Sequence, residues 1–130
     1  MVRGNCPQSA LSYHTDNLVF GCSMNPIDVK RSCGGSSGGD AGLIAARCVP
    51  FAVGSDIGGS LRVPAAFCGI YGLKPTTGRI TNLGKAIAHK MRYHSFNHLQ
   101  TVLGPMGGSV EDLVISMEAI CHPNVNRFDH

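Results

Sequence analysis

The fold of this chain is decided by two stretches, Gly34-Gly35-Ser36-Ser37-Gly38-Gly39 and Ser55-Asp56-Ile57-Gly58-Gly59-Ser60. Eleven of the 17 glycines lie between Gly34 and Gly78. Glycine adopts backbone conformations that other residues avoid, so this concentration indicates special backbone geometry in one region of the chain. We look for the functional site there.

Length and charge exclude some classes of protein. With 130 residues, the chain has room for one domain or for part of a larger one. A hydrophobic share of 43% is sufficient for a core, and charged residues at 15% argue against a disordered, highly charged chain. The formal net charge of +3 is too small to predict binding to nucleic acid.

The sequence predicts that the six cysteines are reduced thiols. The chain contains no C-x-x-C motif, no Asn-x-Ser/Thr glycosylation site and no apolar run of signal-peptide length near Met1. We therefore expect an intracellular protein, in the cytoplasm or peripheral to an internal membrane, whose cysteines are mostly small buried hydrophobic residues. No stretch approaches the roughly 18 apolar residues that a membrane span needs, which predicts no transmembrane segment in this chain.

Short helices and strands alternate along the chain. Residues 40–48 are rich in alanine and apolar all round, which predicts a short buried helix with Asp40 at its start. We predict strands at 51–56, 70–73 and 79–81, and a small helix at 64–67 with Pro64 in its first turn. This alternation indicates an α/β fold.

The clearest predicted helix follows Ser109. Ser109 and Asp112 have the spacing of a capping box, and Pro123 ends the pattern. We expect one face of this helix to pack in the core, namely Val110, Leu113, Val114, Met117 and Ile120. The preceding segment, 85–102, is only loosely helical in pattern.

The two glycine-serine stretches have the composition of a serine hydrolase site. A strand that runs into Gly-Gly-Ser can direct several backbone N–H groups at one point and present a hydroxyl beside them, as an oxyanion hole with its nucleophile does. A serine also needs a proton acceptor, because its hydroxyl is scarcely ionised at neutral pH. Flexible loops use the same residues, and an anion-binding loop is a further alternative, although neither stretch matches G-x-x-x-x-G-K-[ST].

Residues 34–76 resemble the amidase signature family of serine hydrolases. The resemblance lies in the two stretches and in the continuation Leu61-Arg62-Val63-Pro64-Ala65-Ala66. Further segments are similar to the fatty-acid amide hydrolase branch, namely Pro7-Gln8-Ser9, Asn25-Pro26, Phe67-Cys68-Gly69-Ile70-Tyr71-Gly72-Leu73-Lys74-Pro75-Thr76 and Leu103-Gly104-Pro105-Met106. The resemblance covers nearly the whole chain, which we therefore interpret as a partial amidase domain spanning residues 1–130.

The resemblance implies a role for each site residue. Ser60 matches the nucleophile, and Ser36 matches a bridging serine that relays protons and whose peptide bond with Gly35 is cis in the family. Ser37, Asp56 and Arg62 match positions that support the catalytic loops. The oxyanion hole would be formed by the backbone amides of Ile57, Gly58, Gly59 and Ser60.

The general base that the resemblance implies is not found in this sequence. In the family it is a neutral lysine some seventy residues before the bridging serine, whereas Ser36 is preceded by only 35 residues, and neither Lys30 nor Lys74 matches that lysine. We therefore expect a fragment of an amidase that is nearly inactive when isolated. The alternative is a truncated, catalytically inactive product that acts by binding.

The resemblance also implies a fold, a reaction and partners. The fold is a mixed central sheet covered by helices, incomplete in this chain. The reaction is the cleavage of carbon-nitrogen bonds in small-molecule amides, and the branch implies lipid-like fatty-acid amides; a general amidase and a transamidation subunit stay open. Neither a metal nor an organic cofactor is implied, and the full-length protein is expected to form a homodimer.

Two other groups of residues have simpler interpretations. His89, His94 and His98 have no neighbouring cysteine or carboxylate in sequence to complete a metal site, so we interpret them as surface histidines. The nearby basic residues Lys85, Lys90 and Arg92 are interpreted as a solvated face rather than a surface for RNA or membrane.

Overall fold

A computed structural model describes residues 1–82 and 99–121. The helices are α1 (Gly38–Ala45), α2 (Arg62–Cys68) and α3 (Val110–Ile120), and a short 3₁₀ turn lies at Gln8–Ala10. The strands are β1 (Asp16–Asn17), β2 (Gly21–Cys22), β3 (Phe51–Asp56), β4 (Tyr71–Gly72) and β5 (Val102–Gly107).

The main sheet has the order β3-β5-β4, and both of its strand pairs are antiparallel. The register pairs Phe51 with Gly107 at one end of β3 and Asp56 with Val102 at the other. On its other edge, β5 pairs with β4, and the ladder ends where the Leu73 N–H donates to the Pro105 carbonyl at 3.0 Å. Proline has no N–H to return that hydrogen bond, so β4 stays short. Strands β1 and β2 form a separate antiparallel pair.

Helices lie against both faces of the main sheet. Met106 on β5 joins one buried cluster with residues of α1, α2 and the loops beside them. Its members are Cys33, Ala41, Ile44, Leu61, Ala65, Cys68 and Met106. The next residue on the strand, Gly107, faces the opposite side, and there a side chain would collide with Asp112 at the start of α3.

The α/β class is confirmed, and most predicted elements are present. Strand β3 has the predicted bounds, α2 contains the predicted residues 64–67, and β4 lies within 70–73. Helix α1 begins two residues before Asp40 and ends at Ala45. Helix α3 has the predicted capping box, in which Ser109 Oγ accepts from the Asp112 N–H and the Asp112 carboxylate accepts from the Ser109 N–H.

Three predictions about secondary structure and burial were wrong. Residues 79–81 form no strand, because the chain turns there and the Arg79 N–H donates to the Thr76 carbonyl at 3.1 Å. Strand β5 was not predicted, and Val102 was placed in a loosely helical segment. Val110 and Val114 are exposed, because α3 packs on β5 through Leu113 and Ser116. The rest of the loosely helical segment up to His98, including the three histidines and the basic residues, and Pro123 lie outside the described residues.

The cysteines are free thiols, but most of them are not buried. Cys33 and Cys68 are buried, whereas Cys6 and Cys48 are exposed and Cys22 and Cys121 are intermediate. The prediction of mostly buried thiols was therefore wrong for four of the six, because their segments pack only partly against the rest of the chain. Among residues 1–82 and 99–121, no helix has the length and apolar character needed to cross a bilayer.

Candidate active site

Ser36 lies in a buried loop that leads into α1. It is 2% exposed, and the Gly35–Ser36 peptide bond is cis, as the resemblance implied. The buried Thr15 holds this loop: its Oγ1 donates to the Gly34 carbonyl at 2.8 Å and accepts from the Gly38 N–H at 3.1 Å. The Thr15 N–H also donates to the Gly34 carbonyl, at 3.0 Å. One side chain and its own backbone thus fix both ends of the Ser36 loop.

The same loop is packed directly against backbone atoms. A side chain at Gly35 would lie 2.6 Å from the Ser12 carbonyl oxygen and 2.9 Å from the His14 nitrogen. A side chain at Gly39 would collide with the backbone of Asn5, whose carbonyl accepts from the Gly39 N–H at 3.1 Å. These positions require glycine because no space remains for a Cβ atom, which explains part of the glycine concentration in the sequence.

Ser60 lies in the turn between β3 and α2, which we call the Ser60 turn (residues 56–62). The buried carboxylate of Asp56 accepts from the Gly59 N–H at 2.8 Å and from the Leu61 N–H at 3.3 Å. Its oxygens also accept from Arg62 Nε at 2.9 Å and Arg62 Nη2 at 3.0 Å. Ser60 itself is 6% exposed. Asp56 therefore organises the whole turn from its first residue.

The electrostatics of the Ser60 turn depend on one ion pair. Burial alone would raise the pKa of Asp56, but the Arg62 guanidinium and three backbone N–H groups outweigh it and lower that pKa below its usual range. The hydrogen bond and charge of Asp56 in turn raise the pKa of Arg62. Because the Arg62 side chain remains about half exposed, the pair joins a buried anion to a solvated cation.

Ser37 joins the two serine loops. Its N–H donates to the Ser60 carbonyl at 3.0 Å. Its Oγ accepts from the Ser55 N–H at 3.2 Å and lies 3.5 Å from the Ser55 carbonyl. The structure thus brings together, from positions up to 25 residues apart, all the residues singled out from the sequence as supporting ones: Ser37, Asp56 and Arg62.

Three of the four expected oxyanion amides have no partner among the described residues. The N–H groups of Ile57, Gly58 and Ser60 donate to none of them, whereas the Gly59 N–H is bound to Asp56. The expectation that Gly59 contributes to the oxyanion hole therefore needs revision for this structure, since one carboxylate oxygen occupies that donor. The amides that remain could bind a developing oxyanion.

Neither described lysine contacts the serines. Lys30 is exposed, and Lys74 Nζ donates to the Pro75 carbonyl at 3.3 Å. Within the described ranges, no cluster of three or more His, Cys, Asp or Glu residues could hold a metal ion.

Two residues of this site had no signal in the sequence. Thr15 holds the Ser36 loop, and Tyr13 Oη donates to the Gly58 carbonyl at 2.6 Å in the Ser60 turn. Both lie in the irregular segment that precedes the glycine-serine stretches. No motif marks them, because their partners are 19 and 45 residues away along the chain.

A cysteine, a histidine and a serine also form a chain of contacts near β2. Cys22 Sγ lies 3.4 Å from His14 Nε2, and His14 Nδ1 lies 2.8 Å from Ser32 Oγ. Burial and the nearby Asp16 charge raise the pKa of the Cys22 thiol, which disfavours the thiolate that a nucleophile needs. We assign no catalytic role to this group.

A groove of about 1180 Å³ lies apart from Ser36 and Ser60. It is lined by residues 3–9, 16–20 and 22–23, and therefore by none of the predicted site residues. The N-terminal segment and the β1–β2 pair both line it, and they are hydrogen bonded to each other, since Asn5 Nδ2 donates to the Gly21 carbonyl at 3.0 Å and Asn17 Nδ2 donates to the Cys6 carbonyl at 2.9 Å.

Comparison with known proteins places this chain among amidases. Residues 1–129 match the protein family described as Amidase. Fatty-acid amide hydrolase 1 from Sus scrofa is 43% identical over 128 residues, which cover 98% of this chain and 21% of that protein. A glutamyl-tRNA(Gln) amidotransferase subunit from Thermus thermophilus is also 43% identical, over 120 residues, which cover 92% of this chain and 24% of that protein.

Solved structures agree with the sequence comparison. A fatty acid amide hydrolase superposes with a TM-score of 0.88 at 35% identity, covering 98% of this chain and 22% of that one. A bacterial aryl acylamidase described as an amidase signature enzyme superposes with a TM-score of 0.77 at 37% identity, covering 89% and 22%. The chain thus spans between a fifth and a quarter of the length of these relatives. By sequence and by structure, this chain belongs to the amidase signature family.

Proposed function

We propose that this chain carries the nucleophile of an enzyme that hydrolyses amide bonds. The observation that supports this most directly is the hydrogen bond from the Ser37 N–H to the Ser60 carbonyl. It fastens the loop of Ser36 to the turn of Ser60, while Ile57 and Gly58 keep N–H groups without a partner among the described residues. Two buried serines beside unpaired amides match the requirements of acyl transfer.

In the proposed reaction, Ser60 Oγ attacks the amide carbonyl carbon. The proton leaves Ser60 through Ser36, and the developing oxyanion is stabilised by the amides of Ile57, Gly58 and Ser60. The carbon-nitrogen bond then breaks, and the departing amine or ammonia takes up the proton. Water finally hydrolyses the ester on Ser60 and releases the carboxylic acid. Ser37, Asp56 and Arg62 support the two loops through the hydrogen bonds described above.

For the substrate, we propose a long-chain fatty-acid amide. This rests on the similarity to fatty-acid amide hydrolase 1 across 98% of the chain. The amidotransferase has the same identity, so the shared amide chemistry has broader support than the acyl group. A general amidase is the alternative.

A second candidate concerns the chain on its own. Neither Lys30 nor Lys74 contacts Ser36, so no described lysine is placed to accept the proton. Loss of one member of a serine triad lowers the rate by roughly 10⁴-fold or more. We infer that the isolated chain hydrolyses amides at least that much more slowly than the same residues within a complete enzyme.

A hybrid protein tests both proposals. The aligned segment of Sus scrofa fatty-acid amide hydrolase 1 is replaced by this chain, and hydrolysis of a long-chain fatty-acid amide and of acetamide is compared with that of the isolated chain. We expect the hybrid to hydrolyse the long-chain amide, and Ser60→Ala to abolish this activity. Ser36→Ala should lower it by several orders of magnitude, while Ser9→Ala, at an exposed serine, should leave it unchanged.

Two results would contradict these proposals. Activity that survives Ser60→Ala would remove Ser60 as the nucleophile. If the hybrid prefers acetamide, the proposal of amide hydrolysis stands and the proposal of a long-chain substrate is wrong.

A further inference from the structure

We propose that Tyr13 is a positioning residue that holds the Ser60 turn in the orientation its oxyanion hole needs. The proposal rests on the proposed function, because it assigns a role within the same site. Its basis is the hydrogen bond from Tyr13 Oη to the Gly58 carbonyl at 2.6 Å.

The peptide unit between Gly58 and Gly59 is held at both of its polar atoms. Tyr13 binds its carbonyl oxygen, and the Asp56 carboxylate binds its N–H at 2.8 Å. A peptide unit is planar, so fixing these two atoms fixes the orientation of the whole plane. The hydrogen bond to Asp56 alone would leave the carbonyl end free to swing about that contact.

The aromatic ring of Tyr13 also lies against the turn. A side chain at Gly58 would lie 3.3 Å from Tyr13 Oη, and one at Gly59 would lie 3.6 Å from Tyr13 Cε1 and 3.1 Å from Val63 Cγ2. Gly59 has a φ of 126°, which side-chain-bearing residues rarely adopt. The two glycines thus let the ring and the hydroxyl approach the backbone closely.

Tyr13 connects the two serine loops. A Cβ atom at Gly35 would lie only 2.9 Å from the backbone carbonyl carbon of Tyr13. The main chain of Tyr13 therefore packs against the Ser36 loop. Its side chain reaches the Ser60 turn. The residue therefore sets the orientation of the turn relative to the loop that carries Ser36, in parallel with the hydrogen bond from Ser37.

Stability does not explain this contact. Tyr13 is 59% exposed, and its hydroxyl would otherwise bind water, so the hydrogen bond contributes little net free energy to folding. The peptide that it fixes lies between two amides of the proposed oxyanion hole, those of Gly58 and Ser60. Misalignment of such donors lowers rates, and loss of one complete donor costs roughly 10²–10³-fold. We expect removal of the Tyr13 hydroxyl to cost about tenfold, since it misaligns donors without deleting them.

The test compares Tyr13→Phe with Tyr71→Phe in the full chain. Both substitutions remove one phenolic hydroxyl, and Tyr71 is a half-exposed tyrosine whose hydroxyl binds no described residue. The first measurement is amide hydrogen exchange at Gly59, with Gly38, which is held by Thr15, as an internal reference. The second is the rate at which a fluorophosphonate phosphonylates Ser60 when each variant is placed in the hybrid with Sus scrofa fatty-acid amide hydrolase 1. The thermal midpoint of each variant is measured alongside.

We expect Tyr13→Phe to speed exchange at Gly59 about tenfold, to leave Gly38 unchanged and to slow phosphonylation about tenfold, without a shift of the thermal midpoint. Tyr71→Phe should change none of these. Unchanged exchange at Gly59 would overturn the proposal, and so would faster exchange with an unchanged phosphonylation rate. If Ser60 of the unsubstituted hybrid takes up no label, the proposed function fails at Ser60, whereas exchange at Gly59 in the chain itself still decides whether Tyr13 holds the turn.

Discussion

The loop of Ser36 and the turn of Ser60 are stabilised by different physics. Thr15 and close backbone packing hold the Ser36 loop through neutral groups. The buried carboxylate of Asp56, paired with Arg62, holds the Ser60 turn. The first arrangement depends on shape and should be indifferent to pH, whereas the second depends on charge and should weaken in acid. Two adjacent loops of one site can therefore be disrupted separately.

The largest expected effect is on the Ser60 turn. Asp56→Asn removes a buried anion that accepts from Arg62 and from backbone N–H groups, and we expect a loss of about 3 kcal/mol in the free energy of unfolding. The lowered pKa of Asp56 means that its contribution is present above the pKa of an unfolded aspartate and is lost as the pH falls through the folded value. The difference between variant and wild type should accordingly shrink in acid, as measured by urea unfolding across pH.

A second aspartate provides the control for this prediction. Asp28 pairs with Arg31 at 3.0 Å, but both side chains are exposed. Asp28→Asn should cost less than about 0.5 kcal/mol, because an exposed ion pair is screened by water. Equal losses for the two aspartates would show that burial of Asp56 does not set its contribution.

Disruption of the Ser36 loop should cost less than that of the Ser60 turn. Thr15→Val keeps the shape of the side chain but leaves the Gly38 N–H and the Gly34 carbonyl without their hydroxyl partner. We expect a loss of about 2 kcal/mol in the free energy of unfolding that does not vary between pH 4 and 7, since no charge is involved. Thr15→Ser, which restores the hydroxyl, should recover most of it. A loss that varies with pH would contradict the neutral character of this loop.

The smallest expected effect concerns Asp40, a partly buried carboxyl group in the first turn of α1. Burial raises the pKa of Asp40 to about 6, against a smaller opposing effect of its hydrogen bond with the Gly4 backbone. Because the pKa of Asp40 is higher in the folded protein than in the unfolded chain, its protonated form favours folding. This contribution to stability is complete below pH 3.8, the unfolded pKa, and is lost as the pH rises through 6.

Asp40→Asn should therefore increase stability by about 1 kcal/mol at pH 7, and the gain should vanish near pH 4. The gain is modest because the amide is still a partly buried polar group. Thermal unfolding at the two pH values measures it. A variant that is less stable than wild type at pH 7 would show that the negative charge at the start of α1 is favourable after all.

The local features of the fold could be predicted from the sequence. The capping box of Ser109 and Asp112 and the apolar run 51–56 depend on neighbouring residues, and both are present in the structure. Strand β5 could not be predicted, because Gly104 and Pro105 disfavour a strand and are tolerated only through tertiary contacts. A side chain at Gly104 would collide with the Leu73 carbonyl, and Pro105 lacks an N–H at the point where the β4 ladder ends.

The candidate site likewise has residues that the sequence could identify and residues that it could not. The glycine-serine stretches marked the two loops, and the resemblance to the amidase signature family marked Ser37, Asp56 and Arg62 as supporting residues. Thr15 and Tyr13 could not be found, because their role depends on how a distant irregular segment packs against the loops. Occupation of the Gly59 N–H by Asp56 is likewise a matter of distances that no motif contains.

The position of β5 in the sheet constrains the order in which this protein folds. Among the strands that the structure describes, β3 and β4 do not pair with each other, and each pairs with β5, which follows both in the chain. On a ribosome, the strand that ends at Asp56 therefore waits for its described partner until β5 has emerged. Contacts between residues so far apart in sequence form slowly. A nascent chain halted before β5 would expose the edge of β3 to pairing with other chains, which makes this interval the one in which a chaperone would matter most.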